Sequence, residues 1–182
     1  MQWIDNGLLD EGKLLIFNNG KQRGYSSVEI VNPAVDSIGN YIIDSLNMFQ
    51  PLNADWIYTS TPPQNFYSSY ISGAQRLANG NTLICDGAHG NFFEIDNLNN
   101  IVWRYINPVL NTYILSQGDP IPITQNGLGN AVFRCTKYPV DYPGFFNKDM
   151  TPSNPIELNP ILDSCLMITS ANTELNKNKE LI

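Results

Sequence analysis

The sequence predicts an all-β chain: two four-stranded units of a β-propeller, followed by one closing strand. Three observations carry this. The 182 residues include 24 Asn, 13 Gly and 12 Pro against only 7 Ala. That is turn chemistry and poor helix chemistry, and it excludes a mostly helical protein. Short apolar runs are separated by Asn6-Gly7, Asn19-Gly20, Asn79-Gly80 and Asn126-Gly127, and Asn-Gly accepts the positive φ of a tight turn. The chain also repeats itself.

Strands are expected at 1–4, 13–17, 25–32, 55–58, 72–77, 82–86, 91–96, 101–105 and 131–138. Nothing from 1 to 150 has a 3.6-residue apolar period. Gln2-Trp-Ile matches Gln75-Arg-Leu, and Gly12-Lys-Leu-Leu-Ile-Phe matches Gly80-Asn-Thr-Leu-Ile-Cys. Val28-Glu-Ile-Val matches Phe93-Glu-Ile-Asp, and Trp56-Ile-Tyr58 matches Trp103-Arg-Tyr105. The order is kept while the offset shrinks from 73 to 47 residues, so the first copy carries extra loop, mostly between Asn32 and Asp55. Four short strands in a repeat of roughly 40 residues describe a propeller blade. Leu14-Leu-Ile-Phe17 and Leu83-Ile-Cys85 are continuously apolar, as strands are when both faces of their sheet are covered. Two blades do not close a propeller. The chain is therefore expected to be a piece of a longer protein, or to have its open blade edges covered by other chains.

The strand at 131–138 is followed by Pro139 to Gly144, a Pro-fixed turn. Residues 1–150 form the blade region and 151–169 a closing segment, with a last strand at 164–169. Residues 170–182 are a polar tail or linker.

The formal charge is −7 and the pI near 4.5. This excludes a nucleic-acid binder, which needs a basic face, and an electrostatic membrane anchor. No apolar run approaches the ~20 residues of a membrane helix, and no basic-then-apolar leader precedes the first strand. Of the three cysteines, Cys85 and Cys135 lie in apolar runs and are expected to be buried thiols, with a disulfide as the alternative; Cys165 completes an odd count. Three Cys and one His do not readily assemble a metal site, and no cofactor motif is present.

His89, the one histidine, stands in Gly87-Ala-His-Gly90. Glycines on both sides favour a turn residue over a catalytic base or nucleophile. Gln2 and Gln75 fall on equivalent innermost strands, which line the channel of a propeller. Ser72 and Gln75 are the candidate channel contacts, and Arg76 is expected to point into the blade interface. Trp56 and Trp103, with Tyr58 and Tyr105, are expected to pack blade on blade, with exposed carbohydrate-binding platforms as the alternative. The run from Asp96 to Asn100 is a hairpin turn rather than a calcium loop, because it lacks the closing Glu.

The run from Ser72 to Gly87 resembles a segment of the bacterial arylsulfotransferase family. So do Leu15-Ile-Phe-Asn-Asn-Gly20 with Tyr25-Ser-Ser-Val-Glu-Ile30, and Phe93-Glu-Ile with Val102-Trp-Arg-Tyr-Ile-Asn-Pro108. The run Asn130-Ala-Val-Phe-Arg134 with Tyr138 and Asp141-Tyr-Pro-Gly144 completes the set, in order over about residues 1–150. The resemblance implies a six-bladed propeller that transfers a sulfuryl group from an aryl sulfate to a phenol, through a transiently sulfurylated histidine. It places that histidine in a His-Asp pair just before the residues matching Met1-Gln-Trp-Ile. These 182 residues are thus expected to lack it and to be inactive alone. Asn19 becomes a candidate donor to a sulfate oxygen at the funnel mouth, with Arg23 as the nearest cation. An Asn-Gly turn and a solvated loop arginine are the plainer readings. The resemblance also implies export to the periplasm or cell surface. The rivals are a non-catalytic propeller scaffold or ligand binder, and a quinone-cofactor propeller, against which the family runs weigh.

Overall fold

The structure, a computed structural model, describes residues 1–124 and 127–161. The expected strand at 164–169, the tail at 170–182, Cys165 and Asn126 lie outside the described residues. The described chain is all-β with antiparallel sheets. Strands β1 (Gln2–Trp3), β2 (Leu14–Asn18), β3 (Ser27–Val31) and β4 (Trp56–Tyr58) form one meander in chain order. Strands β5 (Gly73–Arg76), β6 (Thr82–Asp86), β7 (Asn91–Ile95) and β8 (Ile101–Ile106) form a second, again in chain order. A short ribbon pairs β9 (Ile123–Thr124) with β10 (Gly127–Leu128). Eight of the nine expected strands are present, within one or two residues of the expected bounds.

Antiparallel register places directly opposed residues on one face. In the first sheet Gln2, Leu15, Ile30 and Trp56 form one row, and Phe17, Val28 and Tyr58 the next. This face packs on the second sheet, which offers Ala74, Ile84, Phe93, Ile95 and Ile101. Val28 and Ile84 are wholly buried there, and Ile30 and Ile95 nearly so. Phe66, from the connection between the sheets, wedges between them. Its ring meets Phe17, Tyr58 and Phe93 at 5.6, 5.8 and 5.7 Å, in edge and tilted contacts that suit the ring quadrupoles. Arg76 lies in this interface, as expected. It donates to Thr82 Oγ1 at 2.7 Å and Gly80 O at 3.0 Å, and pairs with Asp10 at 3.0 Å.

The second sheet repeats the rows of the first on its other face: Gln75, Leu83, Glu94 and Trp103, then Cys85, Phe92 and Tyr105. Three of the four sequence matches survive as structural equivalences. The fourth is displaced by one: Glu94 stands where Ile30 does, although Glu29 is its sequence match. Side chains alternate along a strand, so a slip of one residue changes the face. A register shift between Glu94 and Ile95, two residues of β8 against one of β7, keeps Trp103 and Tyr105 on that face. Trp56 stacks on Tyr58 at 6.4 Å and Trp103 on Tyr105 at 6.2 Å. The first pair packs between the sheets, whereas Trp103 is exposed. Sheet-on-sheet packing thus holds for one pair and not for the other.

The expected strand at 131–138 is corrected: the segment runs over the second sheet but forms no ladder. Val132 N donates to Gly87 O at 2.8 Å, and Ser72 N donates to Phe133 O at 3.2 Å. Lys137 exchanges two bonds with the Gln75 amide, at 2.8 and 2.9 Å. Among the described residues no neighbouring strand continues the pairing, and extended chain becomes a strand only with a ladder partner. The segment still closes the sheet: β6 is buried throughout, on both faces. β2, also continuously apolar, is fully buried only at Leu15.

The long connection 32–55 is two consecutive tight turns. Asp36 Oδ1 accepts from the backbone N–H of Ile38 and Asn40, Asp44 Oδ1 from Leu46 and Met48, and Asp96 Oδ1 from Leu98 and Asn100. The Asp96 turn is the hairpin expected, with Asn99 at φ 66°. All three carboxylates are spent on turn geometry.

Phe93→Ala should cost about 3–5 kcal/mol in chemical denaturation, because it opens a cavity among rings that cannot collapse. Ile57→Ala, on the exposed face of β4, should stay within about 0.5 kcal/mol.

Glu94 is buried yet accepts from Lys137 Nζ at 2.7 Å, Asn81 Nδ2 at 2.7 Å and Asn79 Nδ2 at 3.1 Å. Burial opposes its charge, but these bonds outweigh burial and hold the carboxyl below its ordinary value. Its contribution is therefore present above the unfolded-state pKa and lost as pH falls through the folded one. Glu94→Gln should flatten stability against pH in that acid window, measured by denaturant melts.

Candidate functional site

Asn19 follows β2 and turns inward. Its Nδ2 donates to Ser68 O at 2.7 Å and Ile71 O at 3.0 Å. Ser72 Oγ donates to Ser68 Oγ at 2.8 Å and accepts from Gly87 N at 3.0 Å. Ser68 Oγ in turn accepts from Ala88 N at 3.0 Å. The structure thus joins Asn19 and Ser72 through the segment between Ser68 and Ser72. Arg23 sits apart: it donates to Tyr25 O at 3.0 Å and to Ser27 Oγ, lies 3.5 Å from Glu29, and covers the Tyr25 ring. Gln75 lines a cavity of about 450 Å³ with Gln2, Trp3, Arg76, Arg134 and Tyr138. Asn19, Arg23 and Ser72 do not line that cavity. Gln75 and Gln2 therefore share one concave surface.

A second concave surface is built on the β6–β7 turn. The 3₁₀ turn Gly87–His89 follows Asp86, the last residue of β6, and Gly90 ends it at φ 56°. Both glycines are required by space. A Cβ at Gly87 would stand 2.3 Å from Val132 O, and one at Gly90 2.3 Å from Asn130 O. The Ser68 and Ser72 hydroxyls hold the N–H groups of this turn, so the network around Asn19 positions what the turn carries.

It carries His89, whose Nδ1 lies 2.8 and 2.9 Å from the two carboxylate oxygens of Asp86. Asp86 is nearly buried and His89 about half exposed. The hydrogen bond to Asp86 raises the imidazole pKa, burial opposes it, and the carboxylate charge adds to the rise. With Nδ1 committed, Nε2 is the remaining ring nitrogen. It has no hydrogen-bond partner among the described residues. The pair opens on a shallow cavity of about 530 Å³ with Tyr67, Asn91, Arg104 and Ile106. The arrangement supplies one imidazole whose pKa the Asp86 carboxylate raises and one guanidinium, beside an apolar wall.

The turn reading of His89 is correct as far as it goes. The sequence signal for the rest is the spacing Asp86-Gly-Ala-His89, which a tight turn closes into an aspartate–histidine pair. Among the described residues no group of three or more His, Cys, Asp or Glu could hold a metal ion, and no helix is long and apolar enough to cross a membrane.

Because His89 is the sole histidine, its ring resonances are unambiguous. They should titrate above the ordinary value of about 6.5, and Asp86→Asn should bring them down. The stabilisation from the pair is fully present below the unfolded-state pKa and disappears as pH rises through the folded one. The Asp86→Asn variant should therefore lose more stability at mildly acidic pH than at alkaline pH.

Neither a curated protein nor a solved structure shows significant similarity to this chain. The family model described as Arylsulfotransferase (ASST) matches residues 1–117, which takes in both four-stranded sheets and the aspartate–histidine turn. The chain belongs to the arylsulfotransferase family.

Proposed function

We propose that this chain serves the transfer of a sulfuryl group from an aryl sulfate to a phenol, and that its two sheets are consecutive blades of a propeller. The family match over residues 1–117 carries the reading. The recurrence of the same two rows of residues on both sheets supports the blade assignment. In a propeller the face that β1–β4 turn to β5–β8 would be turned by β5–β8 to the next blade. Exposed Trp103 and half-buried Tyr105 and Phe92 stand where that blade, from this or another chain, would pack. Residues 1–150 would then be the blade region of a protein exported to the periplasm or cell surface.

In the proposed reaction a histidine nitrogen attacks the sulfur of the donor ester, and the phenolate leaves with the bonding pair. The acceptor phenol, losing its proton, then attacks the same sulfur and releases the histidine. We place that histidine outside residues 1–182. One feature supports this: His89 lies on a β6–β7 turn rather than on the first strand of either sheet. Gln2 and Gln75, on those first strands, would face the channel that the substrates enter.

Incubated with p-nitrophenyl sulfate and a phenol, the 182-residue chain should release no p-nitrophenol, and a longer native protein should release it whether or not His89 is replaced by Ala. Turnover by the 182 residues that His89→Ala abolishes would assign the nucleophile to His89 and overturn its placement elsewhere. No turnover by any form of the protein would leave the scaffold reading, which the internal bonds of Asn19 and Ser72 already favour for those two residues.

A further inference from the structure

We propose that Cys85 and Cys135 form a thiol–disulfide exchange site, which small disulfides such as oxidised glutathione convert to an intramolecular disulfide that fastens residues 131–138 to the second sheet. Both thiols are free in this structure. Cys85 is on β6, on the face that the segment covers, and its Sγ lies 3.9 Å from Val132 O. The residue opposite it on β5 is Gly73. With no side chain there, space over Cys85 is left open, and Arg134 Cγ would stand only 3.8 Å from a Cβ built at Gly73. Cys135 is next in sequence; it lines the same cavity as Gly73, the residue opposite Cys85, and its thiol interacts with that of Cys85. Two flanking anchors fix this placement: Val132 bonded to Gly87 on one side, and Lys137 bonded to Gln75 on the other.

The two thiols are unequal in the way that exchange requires. Cys85 is fully buried, while Cys135 is partly exposed. Interaction with Cys135, together with burial, pushes the Cys85 thiol up, and interaction with Cys85 holds the Cys135 thiol below its ordinary value. The thiolate is the attacking species. Cys135 therefore attacks one sulfur of the small disulfide, forming a mixed disulfide and releasing one thiolate. Cys85 then gives up its proton and attacks Cys135 Sγ, which expels the second thiolate. Two protein thiols are oxidised and one small disulfide is reduced to two thiols, so the exchange balances. The segment is held without a β-ladder, by the bonds of Val132, Phe133 and Lys137, and the exchange requires it to shift enough to admit the reagent and to adopt disulfide geometry.

Non-reducing tryptic mapping of the intact protein, after oxidised glutathione and quenching by alkylation, tests this. The expected product joins peptide 77–104, which holds Cys85, to peptide 135–137, which holds Cys135, and leaves Cys165 alkylated. The same link should form in Cys165→Ser. Tryptic cutting after Arg134 and Lys137 should slow several-fold on oxidation in the native protein and be unchanged in Cys135→Ser. The proposal is overturned by a link involving Cys165, by alkylation of both Cys85 and Cys135 after prolonged oxidation, or by a glutathione adduct on Cys135 that Cys85 never resolves. Cys85→Ser separates the steps: it should accumulate that adduct, which folded or misfolded protein would retain as a mass increase on peptide 135–137.

Discussion

The structure depends on one packing constraint: a four-stranded meander has an apolar face that it cannot leave in water. The first sheet meets it by laying Leu15, Val28, Ile30 and Tyr58 against Ile84, Phe93 and Ile95 of the second. Each such side chain removed from water contributes on the order of 2 kcal/mol, so this interface outweighs the turns around it. The connection between the sheets arises from the same need. It must cross from β4 to β5, and it gives up Phe66 to the gap on the way. Arg76 is the exception within the interface. Its charge is tolerated because Asp10 and Thr82 meet it there and the Trp56 ring lies 5.8 Å away.

The second sheet presents a near copy of that apolar face, in chemistry that suits a wetter setting. Glu94 replaces Ile30 in the row, and Lys137 lies 5.9 Å over Trp103 where Arg76 lies over Trp56. The substitution of a carboxylate for an aliphatic chain is possible because Asn79, Asn81 and Lys137 converge on it. The segment that supplies Lys137 is thus part of the sheet's cover as well as a link to residues 139–161.

Buried polar groups decide where the loops go. Ser26, Ser68 and Asn130 are fully buried, and each is tied to backbone across the fold. Ser26 Oγ donates to Asn19 O, Ser68 N donates to Ser26 Oγ, and Asn130 Nδ2 donates to Asn107 O. A buried hydroxyl or amide without a partner is costly. Ser26 and Ser68 therefore fix the β2–β3, β4–β5 and β6–β7 connections against one another, and with them the turn that bears Asp86 and His89, while Asn130 ties the chain after β10 to the chain after β8.

The all-β class, eight of the nine strands and the twofold repeat were legible along the chain, because turn residues and apolar runs act locally. Gly7, Gly20, Gly80 and Gly127 all take the positive φ that Asn-Gly foretold. Three properties were not local. Residues 131–138 have the apolar pattern of a strand, but strand formation depends on a neighbour, and pattern cannot supply one. The match of Glu29 with Glu94 is correct as letters and wrong by one residue as structure, because register is set by cross-strand pairing. Asn19 and Ser72 carry the right chemistry for a ligand, yet the return of the chain after β4 brings Ser68 to them first. The sequence by itself determined which segments extend, where they turn and the family to which they belong. Tertiary structure decided which face each side chain occupies, which thiols meet, and that Asp86 and His89 become a pair, since these depend on contacts that only the folded chain makes.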